Sequence, residues 1–240
     1  MHAVCSRPTV LPSHGSLRST SSALITTFHF HFSYWKKPPL KEITKKVFKQ
    51  RVIDYWQQKL RKEVSCLKSL LYFRPEIMSL SRPHPIWTTL RITPYETQKA
   101  CVQARMLSGR FRTEKLAKHW SPNKDGYCLA PECHQVVENI EHILVSCKAL
   151  EVKRTKLRSL WLSKAAQSPR LHQLVISVLS SSEEEISGFL LDPSVHPETI
   201  RLHQLHGDII HSDLFYLTRT WCHSLNKERL KNLGRWNIRC

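Results

Sequence analysis

Residues 128–147 read Cys-Leu-Ala-Pro-Glu-Cys-His-Gln-Val-Val-Glu-Asn-Ile-Glu-His-Ile-Leu-Val-Ser-Cys. Three cysteines and one histidine fall in the pattern Cys128-x4-Cys133-x8-His142-x4-Cys147. Thiolate sulfur and imidazole nitrogen are ligands that Zn²⁺ prefers, and Cys3His is one of its usual tetrahedral sets. A two-cysteine loop followed by a helix carrying His and Cys supplies them. Pro131 stiffens the loop, His142 projects from the helix, and Cys147 closes the site near the helix end. Four protein ligands leave no open position for water, so the expected ion is structural. Three thiolates and Zn²⁺ sum to a single negative charge, and Lys148, Lys153 and Arg154 lie close behind to offset it. His134, directly after Cys133, is the rival imidazole. The plainer alternative is buried cysteines with an unrelated helix histidine.

Other chemistry-bearing residues carry weaker patterns. His203, His206, Asp208, His211 and Asp213 match no ligand spacing and read as a polar helix end with an acid near the next N-terminus. Glu183-Glu184-Glu185 follows Ser180-Ser181-Ser182, which marks a capped helix start with dipole-matched acids. Cys101, on a helix face, and Trp221-Cys222 read as core. No nucleophile–base or paired-carboxylate pattern is present, so no enzyme is expected.

The elements that must position these residues are helical. The chain has 240 residues and only six Gly, below the roughly 7% average, which leaves few positive-φ turns for hairpins. Residues 40–73 contain neither Gly nor Pro and predict a basic amphipathic helix over 42–70. Pro75, Pro83 and Pro85 then mark a linker. Thr93-Pro94-Tyr95-Glu96 opens a helix over 94–107, with Thr93 as cap and Glu96 as the capping-box acid. Thr113-Glu114 opens a short helix. Helices are expected over 139–160, after Pro169, after Pro197, and over 213–232, with at most a small ribbon around the Cys loop. Phe28–Phe32 alternates like a short strand. The expected class is mainly α, a small helical domain with a Cys3His zinc-stapled loop-helix and a disordered N-terminus. The expected divisions are a basic leader at 1–39, helix and linker at 40–90, a zinc-binding region at 91–165, and C-terminal helices at 166–240.

Charge sets the class of partner. Lys plus Arg total 37 against 19 Asp plus Glu, a formal +18 with fourteen His in reserve. Such an imbalance points to a polyanion. Lys59, Arg61 and Lys62 sit in one basic cluster within residues 41–68. Arg105, Arg110, Arg112, Lys115 and Lys118 form a second beside the Cys/His run, with Phe111 and Trp120 for stacking. No apolar run approaches the roughly 18 residues of a membrane span. The first forty residues contain no acid and are rich in Ser, Thr and Pro, compatible with organelle targeting as well as with a disordered tail. Eight Cys, only three of them clustered, fit a reducing compartment, nuclear or cytoplasmic.

Ala104-Arg105-Met106-Leu107-Ser108-Gly109-Arg110-Phe111-Arg112-Thr113-Glu114-Lys115-Leu116, the Cys/His run, and Cys147-Lys148-Ala149-Leu150 resemble the C-terminal zinc-binding region of non-LTR retrotransposon reverse transcriptases. Leu214–Leu225 is similar to the end of such polyproteins, and Tyr55–Glu63 to the segment just upstream. The resemblance covers about residues 41–237 and implies ligand roles for Cys128, Cys133, His142 and Cys147. The spacing departs from the tighter retroviral knuckle. No Ala-Asp-Asp or other paired-Asp turn occurs, and polymerases of that family need those carboxylates to hold two metals. The resemblance therefore implies the portion after the polymerase, contacting nucleic acid. The expectation is a non-catalytic, zinc-containing binder of RNA or single-stranded DNA. The alternatives are a helical protein-interaction module with a purely structural zinc, or an expressed relic without activity.

Overall fold

The computed structural model describes residues 41–67, 70, 72–74, 83–121 and 123–234. The expected leader at 1–39 and the Phe28–Phe32 strand lie outside these residues. The chain divides into two units, one ending at Lys62 and the other beginning at Glu63. Among the described residues it is mainly α-helical, with one isolated antiparallel bridge, Tyr127 to Val137, at the Cys loop.

The first helix, α1, runs Lys41–Cys66. It is basic as expected, but its apolar residues form no single stripe. Ile43, Val47, Phe48, Val52, Tyr55 and Trp56 are all exposed. Ile43 and Val52 fall on opposite sides at about 100° per residue. The apolar positions of its N-terminal half scatter, whereas Ile53, Leu60 and Val64 share one side of its C-terminal half and are less exposed.

In the second unit, α2 (Pro85–Thr88) leads into α3 (Pro94–Leu107). Thr93 Oγ1 accepts the Glu96 N–H at 3.2 Å, and Pro94 occupies the first turn, where it loses no helical bond. α4 is a single turn, Glu114–Ala117, capped by Thr113 Oγ1 from Leu116 N at 3.1 Å. α5 (Glu151–Ala165), α6 (Pro169–Leu179), α7 (Glu183–Leu191) and α8 (Pro197–His206) follow. Ser182 and Glu185 close a full capping box at the start of α7, as their order predicts. α9 (Asp208–Asn232) starts five residues before the expected boundary.

α9 is the axis of the core and packs against α3, α5, α7 and α8. Trp221 on α9 meets Trp161 on α5 edge to face at 5.1 Å, and Trp161 meets Phe189 on α7 at 6.0 Å. Such aromatic pairs add about 0.5–1.5 kcal/mol beyond their buried area. Gln103 on α3 is fully buried. Its Nε2 donates to Leu190 O at 2.9 Å, Leu191 O at 3.1 Å and Thr218 Oγ1 at 3.0 Å, so one amide covers the open carbonyls at the end of α7. The Cys/His segment and the C-terminal helices thus share one core.

The helical stretch expected over 139–160 is interrupted at Cys147, near where the histidine-bearing helix is expected to end. Residues 140–141 are helical, His142–Ser146 widens to a π-turn, Cys147 is extended at φ −61° and ψ 115°, and Lys148–Leu150 forms a 3₁₀ turn before α5. Cys147 N–H reaches back to His142 O at 2.7 Å, which closes the wide turn. Such bulges interrupt helices at functional positions.

Candidate metal centre

The segment around the cysteines is a tight ribbon. Cys128 N donates to Val136 O at 2.8 Å, Glu138 N to Gly126 O at 3.1 Å, and Val136 N to Cys133 O at 3.2 Å. Gly126 turns the chain at φ +85°, and a Cβ there would meet Lys118 Cδ at 3.3 Å. Pro131–Cys133 forms a 3₁₀ turn that stiffens the cysteine loop. Asn139 Oδ1 accepts the His142 N–H at 2.7 Å and starts the wide turn carrying the imidazole.

The outcome is convergence. One ligand atom from each of Cys128, Cys133, His142 and Cys147 lies within 4.8 Å of the others. The Cys133–Cys147 and Cys128–Cys147 sulfur separations are 3.7 Å and 3.9 Å. A tetrahedral ion with metal–sulfur bonds of about 2.3 Å sets sulfurs about 3.8 Å apart. The spacing therefore matches a tetrahedral site. His142 is buried, and neither ring nitrogen has a hydrogen-bond partner. A buried imidazole without partners is costly unless something binds it. Burial lowers the His142 pKa, which keeps it in the neutral form that ligates. Burial pushes the Cys128 thiol up and takes Cys147 up to about 12, where the neighbouring thiols of Cys128 and Cys133 add to the effect. Close thiols that resist ionising alone are the natural receiver of a cation that can hold them as thiolates. His134 is exposed and does not belong to the group.

The surroundings add two residues. Arg154, among the expected charge-balancing cations, is buried, and its Nη2 donates to the Cys147 carbonyl. Its Nε and Nη2 also bond Glu151 Oε2, at 3.0 Å and 2.6 Å. Lys148 is exposed instead. Glu138 was not singled out by spacing, yet it anchors the site. Its carboxylate accepts Glu114 N at 2.8 Å and Arg229 Nη2 and Nε at 2.5 Å and 3.1 Å. The metal segment is thereby tied to α4 and to the end of α9. Trp221 Nε1 adds a bond to Leu144 O at 3.3 Å. Glu138 and Glu141 both lie between Cys133 and Cys147, and nothing in that pattern points to a cation ninety-one residues away.

The basic residues are placed as follows. Arg105, Arg110, Arg112, Lys115 and Lys118 are all exposed, and none makes an ion pair among the described residues. Lys115 N donates to Glu138 O at 3.2 Å, so α4 abuts the metal segment. Trp120 is 80% exposed. Phe111 is not available for stacking, because it is buried with the Arg229 guanidinium 5.8 Å from its ring centre. Lys59, Arg61 and Lys62 are exposed on α1, with Lys59 Nζ 4.9 Å from the Trp56 ring. Among the described residues no second group of metal-ligating side chains forms. His203 and His211 instead stack ring on ring at 4.1 Å. Cys222 is core, as expected. No described helix is long and apolar enough to cross a membrane. No known protein family, curated protein or solved structure matches the chain.

Proposed function

We propose that the chain is a non-catalytic nucleic-acid-binding module from the C-terminal region of a retrotransposon reverse transcriptase, stapled by one structural Zn²⁺ on Cys128, Cys133, His142 and Cys147. The observation that carries this reading is the tetrahedral convergence of three sulfurs and an unpartnered imidazole next to exposed, unpaired cations. Soft thiolates in that geometry favour zinc over hard cations. Bound there, the ion supplies folding energy to a segment with little regular structure of its own. Arg105, Arg110, Arg112, Lys115 and Lys118 offer charge without a protein partner, the condition for phosphate contact and counterion release. Trp120 adds a ring on which a base can stack, which favours RNA or single-stranded DNA. The likeness of residues 104–116 and 147–150 to the retrotransposon region supports the origin.

Fluorescence anisotropy of the zinc-loaded chain on a single-stranded RNA, across a salt series, tests the reading. Each neutralised phosphate adds about −0.7 to the slope of log affinity against log salt. Arg105→Gln, Arg110→Gln and Arg112→Gln together flatten the slope by up to about 2 if all three touch phosphate, while zinc content stays unchanged. No binding at low salt favours the protein-interaction module instead. Primer extension by the chain overturns the non-catalytic assignment.

A further inference from the structure

Arg219 on α9 is only 2% exposed, and no carboxylate pairs with it among the described residues. Its Nη1 donates to Ile86 O at 3.2 Å and Thr89 Oγ1 at 2.8 Å, and its Nη2 to Thr89 O at 3.2 Å. These neutral oxygens at the end of α2 orient the guanidinium without cancelling its charge. Its Nε has no acceptor. A buried ion is costly without a counter-charge. The acid that acts on it, Glu96, is already bonded to Lys99 Nζ at 2.7 Å.

Arg219 lines a cavity of about 280 Å³ where residues 89–96 meet α5, α6 and α9. Arg91 and Lys164 line it too, both exposed and without an ion pair among the described residues. Ser212 and Tyr216 stand seven and three residues before Arg219, on the same face of α9. With Glu96 neutralised by Lys99, Asp213 is the one uncommitted acid in the lining, against three cations.

We propose that this cavity is an oxyanion site that takes a phosphate group, held by Arg219, Arg91 and Lys164. A guanidinium presents planar donors matched to phosphate oxygens, and its charge is fixed at any physiological pH. The Ser212 and Tyr216 hydroxyls add neutral donors, which suits an anion with several oxygens. A dianion is favoured over a carboxylate because three cations surround the space. The inference is independent of the zinc and of the RNA-binding reading, since Arg105 lies about 14 Å along α3 from Glu96.

Isothermal titration of the zinc-loaded full chain with inorganic phosphate, at constant ionic strength, tests the proposal. One saturable site per chain is expected. Arg91→Gln with Lys164→Gln, both exposed positions, weakens it at least tenfold. Asp213→Asn tightens it several-fold, an effect that a merely structural Arg219 would not produce. Parallel titrations with 5′-phosphorylated and 5′-hydroxyl dinucleotides separate the sources. Tighter binding of the phosphorylated one alone assigns the site to a nucleotide or strand end, and preference for inorganic phosphate assigns it to the free ion. The triple variant Arg105→Gln, Arg110→Gln, Arg112→Gln keeps the site. Absence of saturable phosphate binding, or binding indifferent to both the double variant and Asp213→Asn, overturns it.

Discussion

His134 and Gln135 follow Cys133 with φ of 42° and 64°, two consecutive non-glycine residues in the left-handed region. That region costs an L-residue roughly 1–2 kcal/mol. Here it reverses the chain so that Cys128 and Cys133 share a site with His142. His134 is thus a turn residue outside the cluster, and three substitutions separate the roles. His134→Gly keeps one zinc per chain and raises stability by up to about 1 kcal/mol, since glycine relieves strain but loses more entropy on folding. His142→Ala and Cys128→Ser each lower the zinc content toward zero and melt the segment around residues 126–150, as binding energy there is folding energy. Elemental analysis after gel filtration, with near-ultraviolet circular dichroism, reads both. A zinc loss in His134→Gly together with retention in His142→Ala would reverse the assignment. The four converging residues were legible in the sequence because residue type and spacing are local properties. The two residues that hold them, Arg154 and Glu138, were legible only as charges, because their partners are set by the fold.

Among the elements, legibility follows the range of the interaction that sets each boundary. α3 begins and ends where Thr93-Pro94-Glu96 and Ser108-Gly109 place it, because caps act within four residues. α7 begins at its capping box for the same reason. The wide π-turn before Cys147 was not legible, since it closes a cluster formed with residues fourteen and nineteen positions earlier. The scatter of apolar positions in the N-terminal half of α1, by contrast, follows from position alone at about 100° per residue. The Glu138–Arg229 pair belongs to this scale, because it joins the Cys ribbon to the last turns of α9. Both members are nearly fully buried, at 2% and 8% exposure. Glu138→Gln keeps the shape but leaves the Arg229 charge uncompensated, and removing one partner of a buried pair costs about 3–5 kcal/mol. Urea denaturation of the zinc-loaded variant should show that loss as a lower midpoint at unchanged slope. Adding Arg229→Met to Glu138→Gln should recover much of it, as an apolar replacement leaves no orphaned charge. A single variant as stable as the parent would mean that water reaches the pair.

Over the whole molecule, one buried and one half-buried imidazole couple stability to pH. His223 on α9 lies against the Tyr95 ring at 5.4 Å, and burial lowers its pKa below the ordinary 6.5, with Lys99 and Lys227 adding to the effect and Glu96 opposing it. His196, before α8, lies against Phe189 at 5.3 Å and is lowered by burial, with Glu185 and Glu198 opposing. A group whose folded pKa is depressed binds a proton more readily when unfolded. Its contribution is therefore fully present above 6.5 and is lost as pH falls toward the folded value. The expected outcome is a urea midpoint that is flat from pH 8 to about 7 and declines below about 6.5. Acid also displaces zinc from Cys and His, which would mimic the decline. Two controls separate the causes: zinc content measured at each pH, and the variant His196→Gln with His223→Gln. With zinc still bound, the double variant declines less steeply than the parent between pH 6.5 and 5.5. An identical decline in both assigns the acid sensitivity to the metal centre and removes the two imidazoles from the account.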